Sequence, residues 1–306
     1  MQTSEVLLYR LNFVDTSNLF ASKPLRTDEE FLTVLFSATQ KLHDTETKTR
    51  ASIYEWAVRD FHTDVVSEDQ RTYATMMFAR STMSKLGPTV TPSGIEIANS
   101  ESTPALAQNT LVVIDFKRHI VAVEYSSNLM QSDSWRRQLE AVLSSAAQSE
   151  GFTSYVRLEA INLPEQLEDE ISSLEKVTRI ALTLRIPNPD IGPTFKRLYD
   201  KMNEASIREL KQEMSNPAGM NTQTGFLPRE SLDMALGGYR EGKITVNGVR
   251  NGEEVSISVG EAADQVARAK VDGLREYVAG FHDGSSNPEA KRIMRAVLKK
   301  VDQVLK

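Results

Sequence analysis

Cysteine is absent from the 306 residues, which excludes disulfides, thiolate nucleophiles and Cys-ligated zinc or iron–sulfur centres. That fits a reducing cytoplasm. No apolar run approaches the roughly 20 residues needed to span a bilayer. The N-terminus carries no charged segment leading into an apolar one, so no signal peptide is expected. A soluble cytoplasmic protein without direct membrane insertion is the expectation. Positive charge is in deficit, with 36 Lys and Arg against 42 Asp and Glu and a net charge of −6. Any affinity for nucleic acid must then come from a local basic patch. Histidine is scarce, at four residues. His43, His62, His119 and His282 never fall at the i, i+4 spacing of helical metal sites, and each reads as a surface or turn residue. Phosphate-binding loops, dinucleotide fingerprints and nucleophile elbows are also missing. No catalytic residue, metal or cofactor is expected.

What is present is a mixture of strand and helix patterns at ordinary globular composition, 40% hydrophobic and 25% charged. Glu5 to Val14 reads as a strand. Thr27 and Glu30 stand in capping-box positions before a helix carrying Phe31, Val34, Leu35, Ala38 and Leu42. Residues 48–62 and 71–83 form an antiparallel pair, whereas the Gly-, Pro- and Ser-rich stretch 87–106 reads as a loop or irregular edge. A hairpin is expected over 111–125, a helix over 132–148 ending at Gly151, a strand over 152–161 and a short helix over 164–174. Ile180, Leu182, Leu184 and Ile186 alternate as one strand face before Pro187 and Pro189 stop it.

Beyond that corner the pattern predicts helix over 195–214 and 228–236. A second hairpin over 243–259 turns at Arg250-Asn-Gly252, because Asn-Gly favours positive φ. Ala267, Val271, Leu274, Val278 and Phe281 repeat at helical spacing, as do Met294, Leu298, Val301 and Leu305. The irregular order of strands and helices indicates an α+β fold. The expected organisation is an antiparallel β-rich domain over 1–175. A helix-rich domain over 176–306 follows, holding the hairpin and a long terminal helix.

Three groups of cations stand out. Lys291, Arg292, Arg295, Lys299 and Lys300 lie on the terminal helix, with 292, 295 and 299 on one face. Such a face suits a phosphate backbone without sequence preference, and equally an ordinary solvated surface. Lys196 and Arg197 begin the helix after the Pro-Asn-Pro-Asp corner. Arg240, Lys243 and Arg250 surround the second hairpin. Tyr54, Trp56 and Tyr73 fit either base stacking or core packing. Asp115 and Glu124 on the first hairpin come near a metal-nuclease pattern, but Ser126 stands where that pattern needs lysine.

From Thr178 onward the layout resembles the RexA/KwaB group of bacterial and prophage phage-exclusion proteins. The shared features are a strand entering Ile186-Pro-Asn-Pro-Asp190, a charged helix over 193–214, a short helix over 228–236, a ribbon over 243–259 and a terminal helical region. The resemblance implies a non-catalytic antiviral defence component that binds DNA, works as a homodimer and has a membrane partner. The expected function is therefore nonspecific DNA binding through the C-terminal basic face. The alternative is a protein-interaction or sensor subunit that recognises a phage protein or a membrane protein. A divalent-metal nuclease ranks behind both.

Overall fold

The computed structural model describes residues 3–16, 23–25, 27–66, 71–92, 94–101, 107–185, 196–260, 266–274, 276–277 and 288–304. Its strands form two antiparallel sheets, of nine and of four strands. The chain divides into two compact units that interleave along the sequence. One comprises residues 1–13, 115–122 and 157–306, and the other residues 14–114 and 123–156.

In the second of these units β2 (Thr45–Lys48), β3 (Ser52–Val66), β4 (Arg71–Thr91) and β6 (Ala107–Asp115) lie in the order β6-β4-β3-β2, and β5 (Gly94–Glu101) pairs with β4. Helix α1 (Asp28–Ser37) packs on α2 (Ser134–Ser149), and α2 on β3. The start of α1 is set by the capping box: Thr27 Oγ1 accepts from the Glu30 amide at 3.2 Å, and Glu30 Oε2 accepts from the Thr27 amide at 3.2 Å. Phe31, Val34, Leu35 and Ala38 are buried, while Leu42 lies in the following 3-10 turn and is exposed. Trp56 and Tyr73 are buried, and Trp56 stacks on Phe78 at 5.4 Å between ring centroids. Arg80 covers the ring of Tyr54 at 4.8 Å. These aromatics pack; they do not form an open stacking platform.

Of the stretch 87–106, read as a loop or irregular edge, the described residues 87–91 and 94–101 are regular strand. β4 runs through Gly87 and Pro88 to Thr91 and pairs with β5 from Thr91↔Gly94 back to Ser84↔Glu101. Pro88 is tolerated because it lies beyond Lys85, where the pairing of β4 with β3 ends.

In the other unit β1 (Thr3–Asp15) pairs with β13 (Arg268–Asp272) and β8 (Ser154–Ala160), and its Leu11 amide bonds the His119 carbonyl just before β7 (Ile120–Glu124). The four-stranded sheet runs β10 (Glu209–Ser215), β9 (Lys176–Arg185), β11 (Ile244–Arg250), β12 (Glu253–Val259). Its core is Val177, Ile180, Leu182, Leu184, Ile244 and Val246, covered by Leu167 of α3 (Pro164–Ser172), Leu198 and Met202 of α4 (Lys196–Glu204) and Leu232, Ala235 and Leu236 of α5 (Leu227–Leu236). The last helix, α6 (Pro288–Val304), packs on β13.

The C-terminal half is not helix-rich, contrary to the sequence expectation. Strand occupies 48% and helix 28% of the described structure, and β9 to β13 all lie after residue 175. Two misread segments account for the difference. Over 195–214 the helix ends at Glu204, because Ser206 adopts a left-handed φ of 55°. The Ile207 amide then bonds Met202 O and the Ser206 amide bonds Asn203 O, a Schellman closure. Leu210 and Met214 continue on a strand laddered to β9. Their spacing of four satisfies a helix and a strand alike, so it could not separate them. Over 267–272 the buried set is Ala267, Ala269 and Val271. That is period two, and it pairs with β1. Leaving Ala269 out of the apolar set made the step from Ala267 to Val271 a false helical interval. Val278 and Phe281 lie outside the described residues, as does the Pro-Asn-Pro-Asp corner.

The ribbon of β11 and β12 turns as its sequence requires, with Asn251 at φ 53° and Gly252 at φ 79°, a two-residue type I′ loop. Gly248 faces the Lys176 carbonyl so closely that a Cβ would come within 2.5 Å of it, at the point where the β11–β9 register shifts.

Candidate functional site

The terminal helix separates its two faces cleanly. Ile293, Met294, Val297, Leu298 and Val301 are all buried, which fixes the helix's rotation. Arg292, Lys299 and Lys300 are exposed, and Lys291 and Arg295 are half-buried. Arg292 and Lys299 are seven residues apart, about two turns and ~10 Å along the axis. The acid near the end of this helix is engaged: Arg118 Nη1 lies 3.2 Å from Asp302 Oδ1.

The other sequence-chosen cations do not join this face as a set. Arg240 is buried at 1% exposure and donates to three backbone carbonyls, Ala235 at 2.8 Å, Gly242 at 3.0 Å and Gly260 at 3.1 Å. It is an internal strut, not a ligand-binding cation; its place after Gly237-Gly238 gave no sign of burial. Arg250 pairs with Glu170 at 2.6 Å, so much of its charge is already matched. Lys243 is exposed. Lys196 and Arg197 open α4, but their side chains lie outside the described residues.

The nuclease pattern is not supported. Asp115 and Glu124 are each buried, at 1% and 2% exposure, so neither presents a carboxylate to a solvent-borne metal. Among the described residues no cluster of three or more His, Asp or Glu side chains is placed to hold a metal ion.

Of the histidines, His62 and His119 take the surface and turn positions expected, whereas His43 does not. His62 is exposed and His119 sits in a turn with φ 51°, yet His119 is buried, edge-on to Phe13 at 5.5 Å. His43 is buried between two hydroxyls, with Nε2 3.3 Å from Ser37 Oγ and Nδ1 3.0 Å from Ser145 Oγ. His282 lies outside the described residues. Burial lowers the His43 pKa below its ordinary 6.5, against weaker raising effects of Glu150 and Asp44. The folded state therefore holds the neutral ring while the unfolded chain protonates first. Stability is full above pH 6.5 and declines as the pH falls below it toward the lowered folded value. Urea titrations at a series of pH values check this: His43→Gln is expected to flatten the acid-side decline. An unchanged slope would remove His43 as its source.

One pocket is formed where α3 passes the outer strand of the four-stranded sheet. It has a volume of about 470 Å³ and is lined by Asn162, Leu163, Leu167, Glu170, Arg250 and the consecutive residues 255–259. The Arg250–Glu170 pair stands at one end, and at the other Asn162 Nδ2 donates to Gly260 O at 3.3 Å. Sequence reasoning missed it, because α3 and β12 are more than 80 residues apart and neither carries a motif.

These features describe a strand-rich α+β protein with a cationic helix face and a groove beside a sheet edge. Residues 94–264, more than half of the chain, match the family described as a domain of unknown function, DUF4747. The chain belongs to that family. No curated relative matches it. Among the described residues no helix is long and apolar enough to cross a membrane, which says nothing of β-barrels.

Proposed function

We propose that the protein binds a polyanion, DNA in the first instance, through the outer face of α6. The observation that carries this is the split of the helix: five apolar side chains inside, and Arg292, Lys299 and Lys300 outside with Lys291 and Arg295 at the margins. With contributions from about four cations, the affinity should fall with salt at a log–log slope of about −3 to −4. Among the described residues no base-reading element accompanies the face, so the proposed binding is without sequence preference. The role is non-catalytic. Cytoplasmic antiviral defence, a homodimer and a membrane-protein partner follow from the RexA/KwaB resemblance.

Fluorescence anisotropy with a labelled duplex tests the reading. The wild type is expected to bind at low salt, and the triple variant Arg292→Glu, Lys299→Glu, Lys300→Glu to lose at least tenfold in affinity. Equal binding by the variant, or no binding by the wild type, would overturn it.

A protein-interaction role, recognising a phage or membrane protein, is favoured by a different observation. On the β4–β5 ribbon Ile95 and Ile97 are 74% and 70% exposed, and Leu86 is 41% exposed. Pro88 pairs with Ile97 and Leu86 with Asn99, so Leu86, Pro88, Ile95 and Ile97 share one face. A bare aliphatic face on a two-stranded ribbon is the usual mark of a contact surface. A chain that ignores duplex DNA at low salt leaves this reading standing.

A further inference from the structure

We infer that the groove between α3 and β12 is a peptide-binding site that takes an extended segment of another protein by strand addition. The inference is independent of what α6 binds.

Its first support is the lining. Residues 255–259 of β12 all contribute. Successive side chains on a strand point to opposite faces, so a cavity touching five in a row follows the strand's edge and not one face of its sheet. Opposite the edge, Leu163, Leu167 and Glu170 are spaced four and three apart and present one side of α3. An edge strand flanked by a helix is the geometry that receives an added strand.

The second support is the hydrogen-bonding register. The two-residue loop at Asn251 and Gly252 makes Arg250↔Glu253 the closing hydrogen-bonded pair. Counting along β12, residues 253, 255, 257 and 259 bond inward to β11. Glu254, Ser256 and Ser258 direct their N–H and C=O groups outward. β12 ends its sheet, so these outward groups have no ladder partner among the described residues. Val255, Ile257 and Val259 pack against the apolar core of the sheet, while Ser256 and Ser258 are exposed.

Chemistry then selects the occupant. Leu163, Leu167, Val255, Ile257 and Val259 favour aliphatic side chains at alternate positions of the incoming strand. At the hairpin end Glu170, Glu253 and Glu254 outnumber Arg250, which Glu170 already engages. The partner segment should carry Lys or Arg there, and a polyanion is disfavoured. β12 is seven residues long, ~23 Å at the usual rise, enough for a full-length added strand.

The probe is a blocked nonapeptide of alternating valine and threonine with lysine at both ends, added to the full chain. Amide hydrogen exchange is followed residue by residue by NMR. The expected result is at least tenfold slower exchange at Glu254, Ser256 and Ser258, with smaller changes at Val255 and Ile257, which already sit in the ladder. Ser258→Pro removes one outward donor without touching the β11 ladder and should weaken the probe at least tenfold. Where that variant fails to fold, a probe N-methylated at alternate residues replaces it and should bind at least tenfold more weakly. No slowed β12 amide at millimolar probe, slowing confined to other residues, or equal binding of the N-methylated peptide would each overturn the proposal.

Discussion

Arg240→Met is expected to lower the stability of the fold by about 3 kcal/mol or more, read as a shift of the urea midpoint at unchanged m-value. Methionine replaces the aliphatic stem of arginine and fills most of its volume, so the loss reports chiefly the hydrogen bonds. The guanidinium donates to Ala235 O in the last turn of α5, to Gly242 O just before β11 and to Gly260 O just after β12. One planar group with five donors thus ties a helix end to both strands of the ribbon at its open end. Exchanging a buried charge for an apolar residue is often harmless when its partners leave with it. Here the partners are backbone carbonyls that stay where they are, with Ala235 and Gly260 buried. Ala235 O and Gly260 O each keep one further donor, the Gly238 amide and Asn162 Nδ2, so the cost is the loss of three charge-assisted hydrogen bonds. Arg240→Lys, able to reach fewer of the three, should fall between. A methionine variant as stable as the wild type would show that water replaces the guanidinium and that Arg240 is dispensable.

Gly238→Ala should cost about 2–4 kcal/mol, combining left-handed strain with overpacking. Gly238 closes α5 in a Schellman motif, with the Tyr239 amide bonded to Met234 O at 3.2 Å and its own amide to Ala235 O at 3.1 Å. Its φ is +84°, and an added Cβ would lie 2.5 Å from Arg10 Cβ. Arg10 has little room to yield. It is buried, donates from Nε to Gly237 O at 3.0 Å, bonds Arg118 O and lies 4.2 Å above the Tyr239 ring. Burial also lowers its pKa from the ordinary guanidinium value, with Tyr239 and Asp115 opposing. The Gly238 carbonyl further accepts from Asn12 Nδ2 at 3.0 Å. Thermal unfolding checks the size of the effect. Gly242→Ala is the control: it is also at positive φ but has open space around its Cβ position, so it should show the strain alone.

Both predictions concern a stretch that the sequence marks only as a helix stop. Gly237-Gly238 announces the end of α5 correctly, yet nothing in Tyr239-Arg240 discloses that the arginine turns inward. A charged residue is assigned to the surface by default, and only the convergence of three carbonyls from separate segments overrides that default. The same reasoning explains the rest of the proposed basic site. α6 was legible because its apolar stripe at 294, 298 and 301 fixes which side faces out. Arg250 was misjudged because Glu170 reaches it from 80 positions away. The groove at β12 was invisible because its lining comes from two elements that meet only in the fold.

Local chemistry thus determined from sequence alone what short-range physics controls: the capping box at Thr27, the Asn-Gly turn, the C′ glycines after α2 and α5, the alternation of β9 and the amphipathic split of α6. The tertiary structure decided whether spacings of four became helix or strand at β10 and β13, because those patterns fit both periods until a neighbouring strand supplied ladder partners. It also decided which charges lie inside and which strand edge remains open. Those outcomes depend on segments distant in the chain arriving together, and no local pattern encodes the arrival.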